Sequence, residues 1–343
     1  AAECALELIE ADPNSQVDAT VVSKPFAIES ELLVRCAVES GAEGEAVVLC
    51  LHHLIADWVS VRLLVEDLNA AYLGRALTAD GDLLRRQSLI RGEPLNLLER
   101  AALSHRIAKA FDLLEQRGLV AGDHARVETR HLTLNAAQTT RLVAALGAVK
   151  IHEYLLQHAT DELCRLLDLD SLPVLIEDHG RGEATQDLAL DRLVAWLTQA
   201  KLALLRRQPS HAEGYEDARR QLARLRVSKD DVFPLLAEAR PALPAVLSFN
   251  YLGEFNDASS DAPADGSFAL TPRVFEGAVA AEGQADVPIH LEIYIVNGAL
   301  EVQIAWSPSA FGALEVEGVW YALEDRISRV ARADFELGSG KQQ

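Results

Sequence analysis

Apolar positions along the chain follow two periods. Residues 31–38, ELLVRCAV, and 46–53, AVVLCLHH, are apolar runs with β-branched content on either side of the turn-rich SGAEGE, which predicts a pair of strands. The period changes at Val61. Val61, Leu64, Val65, Leu68, Ala71 and Tyr72 follow the three-four spacing of an amphipathic helix, with Ser60 placed as its cap. The dyad His52-His53 therefore lies at a strand end, and the loop LIAD leads into a helix amino terminus. Further helices are predicted over about 98–119, 151–167, 188–206, 215–225 and 313–331, and extended segments near 131–134, in PVLIE and in AVLSFNYLG. Strict alternation in IHLEIYIV and ALEVQIAW, on either side of Asn297-Gly298, predicts a hairpin with a two-residue turn. The polar segment EQRGLVAGDHARVE marks an expected lobe boundary, giving units 1–125 and 126–343, and NDASSDAPADG is expected to be a loop. Strands and helices in this order, with no short repeat, predict an α/β two-layer sandwich.

At 343 residues and 49% apolar content the chain can bury a large core, and its length favours two lobes. A formal charge of -20 argues against a nucleic-acid face, which needs a basic surface to release counterions. Two local basic clusters, Arg85 with Arg86 and Arg91, and Arg206 with Arg207, Arg219 and Arg220, could dock an acidic partner, and fit solvated helix faces equally well. Cys4, Cys36, Cys50 and Cys164 lack CxxC spacing and are expected to be reduced core residues. No apolar run reaches bilayer length and no signal-peptide pattern opens the chain, so a cytoplasmic location is expected.

Two constellations could carry chemistry. In His52-His53-Leu54-Ile55-Ala56-Asp57-Trp58-Val59-Ser60, a histidine at a strand–loop junction can project into a cleft, where its near-neutral pKa suits proton transfer. The same dyad fits a structural strand end, and Asp57 fits either a salt bridge or a turn cap. Adjacent histidines lack the i, i+4 spacing of helical metal ligands. The second constellation is Glu177-Asp178-His179-Gly180-Arg181-Gly182, directly after PVLI. Desolvation at the end of a buried strand raises a carboxyl pKa, which suits a general base. Taken alone, it fits an exposed Gly-rich turn at least as well.

Together these segments resemble a known family. HHxxxDG is the signature of the condensation-domain superfamily of nonribosomal peptide synthetases, and residues 57–68, DWVSVRLLVEDL, resemble its continuation in epimerization domains, DGVSWRxLLEDL. Residues 177–182 are similar to the EGHGRE motif, Arg192-Leu193-Val194-Ala195-Trp196-Leu197-Thr198 to RTVGWFT, and Phe249-Asn250-Tyr251-Leu252-Gly253 reproduces FNYLG. The resemblance implies two chloramphenicol-acetyltransferase-like α/β sandwich lobes forming a V-shaped pseudo-dimer around a tunnel. The amino-terminal lobe is expected to be incomplete, since 51 residues precede the dyad. The implied activity is cofactor-independent inversion of an aminoacyl or peptidyl thioester on the 4'-phosphopantetheine arm of a peptidyl carrier protein. Neighbouring synthetase modules are the other implied partners, with no nucleic acid, membrane or metal. His53 and Glu177 are the implied catalytic pair, with His52, Asp57, Ser60, His179, Arg181, Arg192, Asn250 and Tyr251 in support. Trp58 and Asp178 replace motif glycines, Gly182 replaces the second Glu and Val61 replaces a Trp. These departures keep two alternatives open: a condensation-type acyltransferase forming an amide or ester bond, and a degenerate carrier-docking domain.

Overall fold

The computed structural model describes residues 8–10, 26–29, 32–41, 44–77, 97–116, 118, 127–181, 190–208, 210–226, 245–255, 287–308 and 313–332. Within them the chain forms, in order, β1 (Leu8–Glu10), β2 (Val34–Gly41), β3 (Gly44–Leu51), α1 (Trp58–Tyr72), α2 (Leu97–Gln116), β4 (Glu128–Leu134), α3 (Ala136–Leu146) and α4 (Ile151–Leu166). Then follow β5 (Ser171–Asp178), β6 (Gln199–Arg206), α5 (His211–Arg226), β7 (Leu247–Phe255), β8 (Ile289–Val296), β9 (Ala299–Trp306) and α6 (Ala313–Ala331). Strands β1, β2 and β3 make one sheet in that order, and a six-stranded sheet runs β4-β9-β8-β7-β5-β6. In the larger sheet β5, β7 and β8 are parallel neighbours and the remaining pairs are antiparallel.

The two-residue period of a strand gives the six-stranded sheet two unlike faces. Register places Val174 and Ile176, Leu247 and Phe249, Leu291 and Ile293, and Val302 and Ile304 on one face. These residues join Leu142, Tyr154, Leu155, Leu163, Trp320, Leu323 and Ile327 from α3, α4 and α6 in the main core. On the other face Leu175, Ala200 and Leu202 pack against Leu103 and Ala110 of α2. Beyond that patch the same face turns polar, with Ser248 and Asn250 on β7, Glu292 on β8 and Gln303 on β9.

The hairpin forms at the expected residues, with Asn297 and Gly298 at φ 50° and 77°, the left-handed pair that a type I′ turn requires. The helix expected over 188–206 does not form: 199–206 is strand β6, paired with β5 along its full length, and 190–198 is irregular apart from its start. Because β6 is covered on both faces, its sequence QAKLALLR shows no alternation, and period cannot separate such a run from a helix. Helix α1 begins three residues before the expected start. Its cap is Asp57, whose side chain accepts from the Ser60 amide, and Ser60 itself lies inside the first turn. Helix α3 was not among the expected helices; its start is fixed by a capping box of Asn135 and Gln138, which the apolar period alone does not reveal. Cys36, Cys50 and Cys164 are free thiols, while Cys4, Arg85, Arg86, Arg91 and the loop 256–266 lie outside the described residues. Among the described residues no helix is long and apolar enough to cross a membrane.

The two faces make opposite demands on adjacent residues of β7. Phe249→Ala is expected to cost about 3–5 kcal/mol of unfolding free energy, as for a fully buried aromatic. Asn250→Ala, one residue away on the polar face, is expected to leave the urea midpoint within a few tenths molar of wild type. Equal losses in the two variants would contradict this assignment of faces.

Candidate active site

Asp57 and Arg181 form a buried ion pair, with Arg181 Nη1 at 2.6 Å from Asp57 Oδ2 and both side chains no more than 3% exposed. Every remaining lone pair of the carboxylate that the fold can reach is occupied. Asp57 accepts from the Ser60 amide (2.9 Å), the Ser60 hydroxyl (2.8 Å) and the Leu197 amide (3.0 Å). Burial alone raises its pKa, but these donors, led by Arg181, outweigh burial and hold the carboxyl below the ordinary Asp range. The guanidinium also donates to the carbonyls of His179, Leu193 and Ala195. Ser60 Oγ closes the network by accepting from Ala195 N, with its single hydroxyl proton lying between Asp57 Oδ1 and Ala195 O. The network thus ties the start of α1 and the end of β5 to the segment 190–197, whose Leu190, Leu193, Ala195 and Leu197 form a small core of their own.

Gly180 makes this closure possible. Its φ is +66°, and a Cβ there would lie 2.0 Å from Leu197 O, so any side chain would drive the segment off the strand end. Asp178, standing where the motif has Gly, accepts from the Gly180 amide at 2.8 Å and stabilises the turn.

Glu177 lies on the polar face of the large sheet, at the end of β5. It accepts from Ser248 Oγ at 3.0 Å and from Asn250 Nδ2 at 2.7 Å. Burial raises its pKa, and the Ser248 hydrogen bond and the nearby His53 charge pull back only part of that rise. His53 is exposed at the end of the three-stranded sheet. Its Nδ1 lies 3.0 Å from Ala56 O, an acceptor only, so Nδ1 carries the proton and the neutral ring keeps a lone pair on Nε2. Its ring lies 5.9 Å from that of Trp196. His52 turns away: Nδ1 accepts from the Leu54 amide, and the ring meets Phe26 edge-on.

The other sequence-predicted residues divide. Asn250 reaches Glu177, whereas Tyr251, one residue on, faces the core side and lies over His152 with centroids 4.8 Å apart. His179 is exposed, and its Nδ1 accepts from the Arg181 amide. Arg192 lies on the surface, bound to Glu66 and Asp67 of α1, so it braces the 190–197 segment from outside. Two residues of the site were missed from sequence, Ser248 and Glu292. Glu292 is the register partner of Asn250 on β8, and its pKa is raised by burial and then by the Glu177 charge. Trp58 sits at the first helical position, its ring 6.2 Å from that of Tyr294 on β8.

On the opposite, helix-covered side, His158, Asp161 and His211 bring ligand atoms within 4.8 Å of one another, the one such cluster among the described residues. Each of its residues has a partner, although His158 Nδ1 has none: His158 Nε2 meets Tyr215 OH, Gln157 donates to Asp161, and Arg326 lies 3.0 Å from His211 Nε2. A guanidinium there repels a metal cation. Of the second basic cluster, Arg219 pairs with Glu153 and Glu216, and Arg220 with Asp217.

No protein-family model matches the chain. It is 26% identical over 318 residues to surfactin synthase subunit 1 of Bacillus subtilis (strain 168), covering 81% of this chain and 8% of that protein. Against gramicidin S synthase 1 of Brevibacillus brevis it is 25% identical over 298 residues, covering 78% and 27%. The chain therefore spans less than a third of either relative. Its fold matches the epimerization domain from the third module of tyrocidine synthetase B, with a TM-score of 0.66 at 16% identity over 95% of this chain and 79% of that one. It also matches the condensation domain of chain release from the enacyloxin polyketide synthase, with a TM-score of 0.64 at 18% identity over 100% and 71%. Fold and alignments together support a condensation-superfamily domain.

Removing one partner of a buried ion pair strands the other charge. Arg181→Met is expected to cost about 3–5 kcal/mol at pH 7. Because Asp57 has a depressed folded pKa, its contribution is present above the ordinary value of 3.8 and is lost as pH falls through the folded value. The deficit of Arg181→Met relative to wild type should therefore shrink below pH 3.8. Urea unfolding at pH 7 and pH 3 checks this, and a deficit independent of pH would contradict it.

Proposed function

We propose that this chain inverts the α-carbon of an aminoacyl or peptidyl thioester carried on the phosphopantetheine arm of a carrier protein. The observation that carries this reading is Glu177, a half-buried carboxyl of raised pKa held by Ser248 and Asn250 on a polar sheet face, within electrostatic reach of His53. Amide formation needs proton transfer at the attacking amine, which His53 alone can serve, whereas inversion at the α-carbon uses groups on two sides.

In the proposed step Glu177, ionised, takes the α-proton, and the electron pair of the C–H bond delocalises into the thioester carbonyl as an enolate. A proton returned to the α-carbon from the other side by the His53 imidazolium completes inversion. Glu177 is then protonated and His53 neutral with Nε2 free, and exchange with water resets both. The reverse direction uses the same groups in exchanged roles. Asn250 and Ser248 orient the carboxyl, and the Asp57–Arg181 network fixes the two sides of the site. The parent synthetases of the relatives support a carrier protein and neighbouring modules as partners.

An α-deuterated aminoacyl group loaded on a carrier protein tests the reaction by wash-out into water. The wild-type chain is expected to exchange deuterium and release both epimers. Glu177→Gln is expected to lower exchange by on the order of a hundredfold or more, the usual worth of a general base. The variant should not be less stable. A carboxyl of raised folded pKa costs stability above the ordinary value of 4.5, so Glu177→Gln should raise Tm at pH 7, with the gain fading below pH 4.5. Amide formation without wash-out would favour the condensation reading, and neither activity would favour a docking scaffold.

A further inference from the structure

We infer that Glu292 is a positioning residue of the same site, a second carboxyl whose charge is coupled to that of Glu177 across Asn250 and so keeps Glu177 competent as both acid and base. This rests on the acid–base reading of Glu177. The geometry begins with strand register. Asn250 on β7 is paired with Glu292 on β8, and Asn250 Nδ2 lies 2.7 Å from Glu177 Oε2, so one amide stands between two carboxyls on one sheet face. Both β7 donors, Ser248 Oγ and Asn250 Nδ2, go to Glu177. Glu177 thus has the donors that favour a carboxylate, and Glu292 lies beside it without sharing them.

Among the described residues no Lys or Arg forms an ion pair with Glu177 or Glu292, and the positive charge that acts on Glu177 is that of His53. Facing groups are Glu177 from β5, His53 from the β3–α1 loop, and His290 and Tyr294 at alternate positions of β8 itself. Glu301 and Gln303 follow on β9, and Glu301 is already engaged by His131 and Thr133 of β4. Both terminal nitrogens of Arg181 are engaged, by Asp57, Ser60 and backbone carbonyls. Lys201, the nearest buried ammonium, donates to Leu225 O from the opposite side of β6. Two adjacent carboxyls in a half-buried setting resist ionising together, and the pair loses its two protons in separate steps. Burial and the Glu177 charge both raise the Glu292 pKa, in keeping with that coupling.

This separation suits an inversion, which needs a base to take the α-proton in one direction and an acid to return it in the other. A lone ionised Glu177 would serve only the first. With Glu292 beside it, loss of the second proton from the pair is pushed to higher pH, and Glu177 gains a proton without the site acquiring net positive charge.

The test uses the full chain with glutamate labelled at the δ carbon, and follows the Glu177 carboxyl by NMR from pH 3 to 9. Wild type is expected to show a two-step titration of Glu177, and Glu292→Gln a single step displaced to lower pH by roughly one unit, the coupling expected of interacting carboxyls. In the deuterium wash-out assay the acidic limb of Glu292→Gln should move down by the same amount, and Glu292→Asp should restore the wild-type limb. A Glu177 titration unchanged in Glu292→Gln overturns the inference. The NMR titration does not depend on turnover, so it decides the pairing even if Glu177→Gln leaves exchange intact and the proposed reaction fails.

Discussion

The ion pair between Asp57 and Arg181 is the constraint on which the site depends. Asp57 lies four residues after His53, and Arg181 four residues after Glu177. Joining the two charges therefore fixes the end of the three-stranded sheet against the end of β5, and with it the spacing of the two candidate acid–base groups. Burying two charges costs several kcal/mol in desolvation, and attraction offsets that cost only where the other hydrogen-bonding positions are filled. Here every position but Arg181 Nε is filled, from Ser60, Leu197, Leu193, Ala195 and the His179 carbonyl. The motif residues around the pair thus read as its supporting shell, including a glycine whose missing Cβ lets the 190–197 segment approach.

The sheet supplies the second condition. A carboxyl of raised pKa needs desolvation together with enough hydrogen bonding to keep it ordered. The two-residue period provides both, because Ile176 and Phe249 enter the core while Glu177, Ser248 and Asn250 share the other face. Among the described residues helix α2 covers the β5–β6 end of that face, with Ala245 and Val287 just before β7 and β8, and the β7–β8 stretch beyond is polar. Glu177 sits at the border between the covered and the polar stretches, which accounts for its being half-buried and hydrogen-bonded at once.

Local patterns in the sequence carried the hairpin, α4, α6 and the places of His53 and Glu177 at strand ends, because those features depend on period and turn chemistry within a few residues. Strand β6 was not legible, since burial on both faces erases alternation. Ser248 and Glu292 were not legible either. Ser248 meets Glu177 through the β5–β7 pairing and Glu292 meets Asn250 through β7–β8, and parallel register between distant segments leaves no trace in a single sequence. Tyr251 is different. Adjacent residues of a strand point to opposite faces, so Asn250 and Tyr251 could not both face Glu177, and alternation alone placed Tyr251 with Phe249.

Trp58 shows what the departure from the motif does and does not change. A glycine is indispensable where φ is positive or a backbone approaches within Cβ distance, as at Gly180. Trp58 meets neither condition: it is the first residue of α1, absent from the positive-φ residues, and follows an Asp57 cap in extended conformation. The indole therefore leaves the helix start and the Asp57–Arg181 network in place. Its effect is one of volume. The ring reaches across to Tyr294, two residues beyond Glu292 on the same face of β8, and so occupies space beside the paired carboxyls. In the proposed reaction that volume bears on the size of substrate the site admits and not on the acid–base groups.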